Sequence, residues 1–257
     1  MARISIVIPC YNEKFRLSPT LSDIECFIQK YPDLIGEIVV VDDGSTDGGA
    51  TVERAMYFSA RLPLKIERLM QNEGKWSAIR HGLSVAKNDA VLIMDADGSA
   101  SIFELEKLAD LTKLLDIRKI IWGTRFAKIS VVGGKSLLRS VVSQGYRVYV
   151  RCCFWLAADY WPVIQDFQAP FKLIYKSKMT RPLVAERFAG DLDLALSLNC
   201  VPLNHPLTFM HKAGGSIKLK TVWSMAVETV RVVRFQRKFD KLRSSLSDVN
   251  VVPPKSI

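Results

Sequence analysis

Short β-branched and aliphatic runs alternate with segments of helical period through the first half of this chain, and that alternation restricts the fold more than any other feature. The runs are Ile4–Ile8, Ile38–Val41, Leu64–Leu69, Ala90–Met94 and Lys119–Trp122. Strands that read as nearly continuous apolar stretches are buried on both faces, as in a mostly parallel sheet covered by helices. Between them, Leu17, Leu21, Ile24 and Ile28 recur at three and four residues, predicting a helix with Ser18 as N-cap and Pro19 at its first position, ending by Pro32. Phe103, Leu108, Leu111 and Leu115 predict another helix after the Ala90–Met94 run. The expected class is α/β, Rossmann-like, and ligands in such sheets collect beyond the carboxyl ends of the strands.

The second half reads differently. Residues 137–161 are aromatic-rich and helical in period, with Trp155, Tyr160 and Trp161 near Phe154 and Leu156 as an interfacial cluster. Residues 222–241 form a long amphipathic segment. There Trp223, Ala226, Val227, Val230 and Val233 are expected on one face, and Arg231, Arg234, Lys238 and Lys241 on another. Packing of either element on the sheet is the alternative. A chain of 257 residues suits one large domain, expected over 1–243, with 244–257 a flexible tail marked by serines and Pro253-Pro254.

A formal charge of +10 calls for an anionic partner: nucleic acid, an acidic bilayer or a phosphorylated substrate. The basic residues are not grouped around a base-reading motif, so no nucleic-acid partner is expected. Five cysteines without a CxxC indicate neither a disulfide framework nor a zinc site and fit a reducing, cytosol-facing location. His81, His205 and His211 are not spaced as metal ligands and read as structural. The stretch after Met1 is too short for a signal peptide, and the uncharged stretch 194–210 holds Asn199, Pro202, Asn204, His205 and Pro206, so membrane contact is expected to be peripheral.

Chemistry-bearing residues gather where the strands end. The first strand runs into Pro9-Cys10-Tyr11-Asn12-Glu13 and the second into Asp42-Asp43-Gly44-Ser45-Thr46-Asp47-Gly48. Carboxylates, an aromatic ring and a glycine turn at neighbouring strand ends can hold a ribose and stack a base, although each alone is also an ordinary polar turn. After Ala90–Met94 comes Asp95-Ala96-Asp97-Gly98; carboxylates at i and i+2 on an extended segment point the same way and can share a divalent cation that neutralises a diphosphate.

In order and spacing these motifs, with Asn72-Glu73-Gly74-Lys75 and Gly123-Thr124-Arg125, resemble family 2 glycosyltransferases of the GT-A fold, and more narrowly the dolichyl-phosphate glucosyltransferases. The resemblance continues through Asp166-Phe-Gln168-Ala-Pro-Phe171-Lys172-Leu173, Glu186-Arg187-Phe-Ala-Gly-Asp191-Leu-Asp193 and Gly215-Ser216-Ile-Lys218, spanning about residues 3–240. It implies a nucleotide-sugar half, about 1–126, and an acceptor and membrane half, about 127–243, with amphipathic membrane-associating helices at the C-terminal end. Pro9, Tyr11, Asn12, Glu13, Asp42, Asp43, Gly74 and Lys75 would lie around the nucleotide, and Asp95 and Asp97 at the sugar diphosphate and its Mg²⁺ or Mn²⁺. Arg125, Arg139 and Ser143 match positions that grip the lipid phosphate in related mannosyltransferases. Gln168, Lys172 and Lys218 would contact substrate, and Asp166 and Asp191 would orient the acceptor or a sugar hydroxyl, or form structural salt bridges.

Two departures fall in the acceptor half. Ala169-Pro170 stands where glucosyl-type members have Cys-Gly, with Gln165 before Asp166, and Phe188 and Gly190 replace the large aromatics of Arg-Trp-Ala-Phe-Asp. The implied reaction is transfer of a hexose, glucose from UDP-glucose first, to dolichyl or polyprenyl phosphate with inversion. It would occur at the cytosolic face of an anionic membrane, the endoplasmic reticulum in a eukaryote or the plasma membrane in a prokaryote. A phosphate monoester with its second pKa near 6 is already largely ionised at neutral pH, so positioning and charge stabilisation carry the step rather than a strong base. GDP-mannose is the rival donor, and an inactive membrane-binding module the rival of another class, opposed by the intact Asp43, Asp95 and Asp97.

Overall fold

The computed structural model describes residues 3–108, 111–125, 131–133, 137–158, 163–198, 201–210 and 219–249. In chain order these form β1 (Ile4–Cys10), α1 (Leu17–Lys30), β2 (Ile35–Asp42), α2 (Ala50–Phe58), β3 (Leu64–Arg68), α3 (Lys75–Val85), β4 (Ala90–Met94), α4 (Leu111–Asp116), β5 (Ile121–Thr124), β6 (Val131–Gly133), α5 (Leu137–Ala158), β7 (Phe171–Tyr175), α6 (Gly190–Ser197), β8 (Leu203–Pro206), β9 (Thr208–Met210) and α7 (Leu219–Val249). The main sheet has the order β3-β2-β1-β4-β7-β5-β8, and β6 pairs with β9 apart from it.

The expected α/β class is what the chain adopts. β1 pairs in parallel with β2 and β4, and every residue of β1 and β4 is buried, which is why these runs carry no polar alternation. The exception to the parallel order is β7, which lies antiparallel between β4 and β5. It brings the start of a strand, Phe171 and Lys172, to the carboxyl ends of its neighbours: Met94 faces Phe171 and Ile93 faces Lys172.

Several local expectations need correction. Helix α1 begins at Leu17 with Arg16 as an N-cap that makes no side-chain bond, so Ser18 is not the cap. The Glu13 carbonyl accepts from both Arg16 N and Leu17 N and starts the turn early, leaving Pro19 in the first turn, where its missing N–H costs nothing. Phe103 and Leu115 do not share one helix: residues Ile102–Lys107 form a 3₁₀ segment, capped by Ser101 Oγ accepting from Phe103 N, and α4 starts afresh. Helix α7 runs on to Val249, six residues into the stretch from Ser244 expected as an irregular tail. Serine and aspartate propagate an existing helix at well under about 1 kcal/mol per residue, and the true breakers, Pro253 and Pro254, come later.

The faces of α7 also differ from expectation. Its buried side is Thr229, Val232 and Gln236. Trp223, at 73% exposed, shares the outward side with Val227, Val230, Arg231, Arg234, Lys238 and Lys241, because 223, 227, 230, 234, 238 and 241 follow one stripe of three- and four-residue steps. Apolar and basic groups therefore stand on one face rather than opposite ones. On α5, Phe154 is core, whereas Trp155 and Leu156 are exposed; Tyr160 and Trp161 lie outside the described residues. Tyr149 Oη donates to the Ala226 carbonyl and Arg237 to the Leu156 carbonyl, joining α5 to α7. Among the described residues no helix is long and apolar enough to cross a membrane.

Candidate active site

The carboxyl ends of β1, β2 and β4 open into a cleft of about 300 Å³ lined by Pro9, Tyr11, Glu13, Asp43, Gly74, Lys75, Asp95 and Asp97, all expected at the site, together with Cys10, Asn72, Ala96, Arg187 and Phe188. Asp43, at the end of β2, is buried and fully engaged. It accepts from Glu73 N at 2.8 Å, Gly74 N at 2.9 Å and Asn72 Nδ2 at 3.0 Å, so it shapes the turn that leads into α3. Burial raises its carboxyl's pKa, and those backbone donors oppose the rise. Gly74 has φ 111°, and a Cβ there would stand 2.4 Å from Arg187 Cγ, so only glycine closes the cleft this tightly.

Negative charge converges from β1 and β4. Glu13 makes a two-bond pair with Arg16, at 2.7 Å in each arm, yet its carboxyl stays raised by burial first and by Asp97 and Asp95 besides. The Cys10 thiol is pushed well up by burial and then by Glu13, Asp42 and Asp95. Lys75 Nζ meets Asp95 Oδ1 at 2.6 Å; burial would lower this ammonium, but Asp95, Asp191 and Asp97 reverse the direction and hold it protonated. Asp97 Oδ1 accepts from Ser99 N at 2.9 Å, fixing the turn after β4.

Two further ion pairs hold the acceptor-half residues. Arg125 grips Asp166 with Nε to Oδ2 at 2.6 Å and Nη2 to Oδ1 at 2.9 Å, and donates to the Gln168 carbonyl at 3.2 Å. Arg125 and Asp166 are thus each other's partners, the salt-bridge alternative expected for Asp166, and Gln168 takes part through its backbone. Lys172 Nζ lies 2.7 Å from Asp191 Oδ1, over the rings of Trp122 and Trp76, and also donates to the Ala169 carbonyl. Asp191 is raised by burial, with Lys172 and Lys75 acting against it and Asp95 adding to it, which ties this pair electrostatically to the cleft.

Four expected substrate contacts do not line the cleft: Gln168 and Lys172, engaged as above, and Asn12 and Asp42. Asn12, at φ 57°, exchanges bonds with Thr46 and Ser45 and ties the β1 turn to the β2 turn. Asp42 is buried beneath, bonded to Ser45, with Arg68 Nε 3.2 Å from its Oδ2. Both serve the turns that carry the neighbouring cleft residues. Arg139 and Ser143 belong to the backbone of α5, but their side chains lie outside the described residues, as does Lys218 with Gly215 and Ser216.

Missed by sequence reasoning as site residues are Cys10, Asn72, Ala96, Arg187 and Phe188, although all five lie inside the quoted motifs. Arg187 reaches across the cleft to Asn72, donating to its Oδ1 and its carbonyl at 3.1 Å each. Glu228 was also missed. It is the sole acid between Leu219 and Phe239, an anomaly in an otherwise basic segment that could have drawn notice.

For a divalent cation the donor set is suitable: Asp95 and Asp97 offer hard oxygen ligands where Glu13 already registers excess negative charge. Among the described residues no group of three or more His, Cys, Asp or Glu gathers to cage a metal. Two carboxylates from the protein, with phosphate oxygens completing the shell, is the arrangement Mg²⁺ favours.

Comparison with known proteins agrees with this geometry. The dolichyl-phosphate beta-glucosyltransferase of Drosophila melanogaster is 29% identical over 238 residues, covering 86% of this chain and 70% of that protein. The dolichol-phosphate mannosyltransferase of Pyrococcus furiosus is 28% identical over 242 residues, covering 93% of this chain and 66% of its own length. In three dimensions, glucosyl-3-phosphoglycerate synthase from Mycobacterium tuberculosis, solved with Mn²⁺, UDP-glucose and phosphoglyceric acid, superposes with a TM-score of 0.64 at 16% identity, over 92% of this chain and 80% of that one. Residues 5–164 match Glycosyl transferase family 2, so the chain belongs to that family and is a glycosyltransferase of the GT-A fold.

Proposed function

We propose that this glycosyltransferase moves a hexose, glucose from UDP-glucose, onto the phosphate of a dolichyl or other polyprenyl phosphate at the cytosolic face of a membrane. The observation that carries the donor half is the convergence of Glu13, Lys75, Asp95 and Asp97 in one cleft beside the Asp43 turn. The acceptor half rests on likeness to the dolichyl-phosphate glucosyltransferases. Tyr11, 41% exposed at the mouth, offers a ring face to a base. Asp95 and Asp97 would hold a divalent cation, which when bound supplies positive charge to the departing diphosphate.

In this reading the chain positions more than it activates. The lipid phosphate arrives ionised, and one of its oxygens attacks the anomeric carbon while the nucleoside diphosphate leaves from the opposite side. Lys75 lies where charge develops on the diphosphate. Arg125, kept in place by Asp166, with Arg139 and Ser143 from α5, would orient the acceptor. Lys172 and Asp191, paired with each other and coupled electrostatically to Lys75 and Asp95, would support the cleft from behind its lining, and Lys218 would contact substrate. Peripheral attachment is supported by the outward stripe of α7, where Trp223, Val227 and Val230 precede Arg234 and Lys238.

Transfer to dolichyl phosphate from radiolabelled UDP-glucose, UDP-galactose and GDP-mannose, with Mg²⁺ or Mn²⁺ and with chelator, tests this. Lipid product from UDP-glucose, lost with chelator, is expected. Product from GDP-mannose alone would move the assignment to the second reading, favoured by likeness to the archaeal mannosyltransferase, and no product from any donor would defeat both.

A further inference from the structure

Between β7 and α6 the chain crosses Val184–Ala189 without regular secondary structure, and yet six consecutive backbone amides there are occupied by just two carboxylates. Asp193 Oδ2 accepts from Val184 N at 2.5 Å and Ala185 N at 2.8 Å. Glu228 Oε1 accepts from Glu186 N at 2.7 Å and Arg187 N at 2.8 Å, and its Oε2 accepts from Phe188 N at 2.7 Å and Ala189 N at 3.2 Å. Asp193 belongs to α6, next to the segment in sequence. Glu228 belongs to α7, about forty residues away, and its carboxylate spends both oxygens on the backbone of this loop.

What that loop carries is the wall of the donor cleft. The Glu186 carbonyl accepts from Trp76 N and Ser77 N, at 2.8 and 3.0 Å, seating the N-terminal turn of α3 beside Lys75. Arg187 spans to Asn72, and Asn72 in turn donates to Asp43. Arg187 and Phe188 line the donor cleft and also a second cavity of about 310 Å³ whose other walls include Trp223, Val227 and Arg231 of α7. The two spaces share a partition two residues thick, and Glu228 sets where it stands.

We infer that Glu228 is a positioning residue for the donor: it transmits the seating of α7 to the nucleotide cleft through the backbone of residues 186–189 and the Arg187–Asn72–Asp43 line. The inference rests on the donor-site reading above. Helix α7 is independently anchored, since Gln236 accepts from Arg181 Nε at 2.5 Å and Arg181 pairs with Asp193 at 2.6 Å, so loss of the Glu228 carboxylate need not release the helix.

The test uses the full chain, with Glu228→Gln and Arg187→Ala, singly and combined. Binding of UDP and of GDP is measured with Mg²⁺, donor KM and kcat are measured separately, and amide exchange is followed over 184–189. Glu228→Gln should speed exchange of the 186–189 amides, weaken nucleotide binding about tenfold and raise donor KM more than it lowers kcat. Arg187→Ala, which leaves α7 untouched and guards against a folding failure in the first variant, should weaken binding similarly, with the double variant little worse than either single. Nucleotide affinity within about twofold of the parent in both single variants would overturn the inference alone; a parent chain that binds neither UDP nor GDP would overturn the donor reading and the inference with it.

Discussion

Gly190 and Trp76 compete for one volume: a Cβ on Gly190 would stand 2.0 Å from Cγ and Cδ2 of the Trp76 indole. Trp76 is 2% exposed, between the start of α3 and the start of α6. The volume beside this glycine is therefore filled by a large ring supplied from another element. Gly190→Ala should cost about 1–3 kcal/mol by overpacking. Trp76→Ala should cost about 3–5 kcal/mol, and in that background Gly190→Ala should become neutral or favourable. Urea unfolding of the three variants checks this; additive losses would mean the two positions do not share the space.

The Arg125–Asp166 pair separates a structural from an acceptor role. Asp166 has a side chain 3% exposed, so Arg125→Ala leaves this buried carboxylate without its cation, keeping only the backbone N–H of residue 125 at 3.2 Å, and should cost about 3–5 kcal/mol. Arg125→Met with Asp166→Leu should recover most of that stability while transfer stays absent. Unfolding midpoints and transfer rates measured on the same preparations distinguish the two losses.

Alkaline pH should weaken the fold through Tyr175 and Tyr149, whose phenols are each pushed up to about 12 by burial first. An unfolded tyrosine ionises near pH 10, so between about pH 10 and 12 the unfolded chain sheds protons that the folded chain retains, and stability falls as pH rises. Below about pH 10 neither state releases them and the contribution is constant. Tyr175→Phe should flatten the decline seen in denaturant midpoints taken at about pH 9 and about pH 11.

Much of this could be read before any coordinates. β1, β2 and β4 were legible because burial on both faces writes an uninterrupted apolar run, and Asp43, Asp95 and Asp97 were legible because they stand at the ends of such runs; Lys75, the first residue of α3, came only through the resemblance. β7 was not: Phe171–Tyr175 has apolar residues but takes its place only by pairing with Ala90–Met94, some eighty residues earlier. The 3₁₀ segment at Ile102–Lys107 likewise depends on a distant partner, because buried Glu104 takes bonds from His205 and Thr208 N. Glu228 stands out as a lone acid in a basic segment, but its role was not legible because its four partners are backbone amides, which leave no side-chain signature.

If α7 meets an acidic bilayer, its outward face should report it. Arg231→Ser with Arg234→Ser removes two exposed cations worth about 1 kcal/mol each near an anionic surface, so partition into phosphatidylserine-containing vesicles should drop about thirtyfold. Neutral vesicles should show a much smaller change, and unfolding should be unaffected because both side chains are exposed. Equal sedimentation of parent and variant with anionic vesicles would argue against attachment through this face.

The antiparallel insertion of β7 also sets an order of events for the growing chain. β4 acquires β1 as a neighbour early, but its other edge has no strand to pair with until residues 171–175 have been made. Throughout that interval an unprotected apolar edge, Ala90–Met94, stands open to pairing with a second copy of itself. A ribosome stalled between these two strands would release a fragment that holds the nucleotide motifs and aggregates, and the two halves of the chain could not be expressed as separate working pieces.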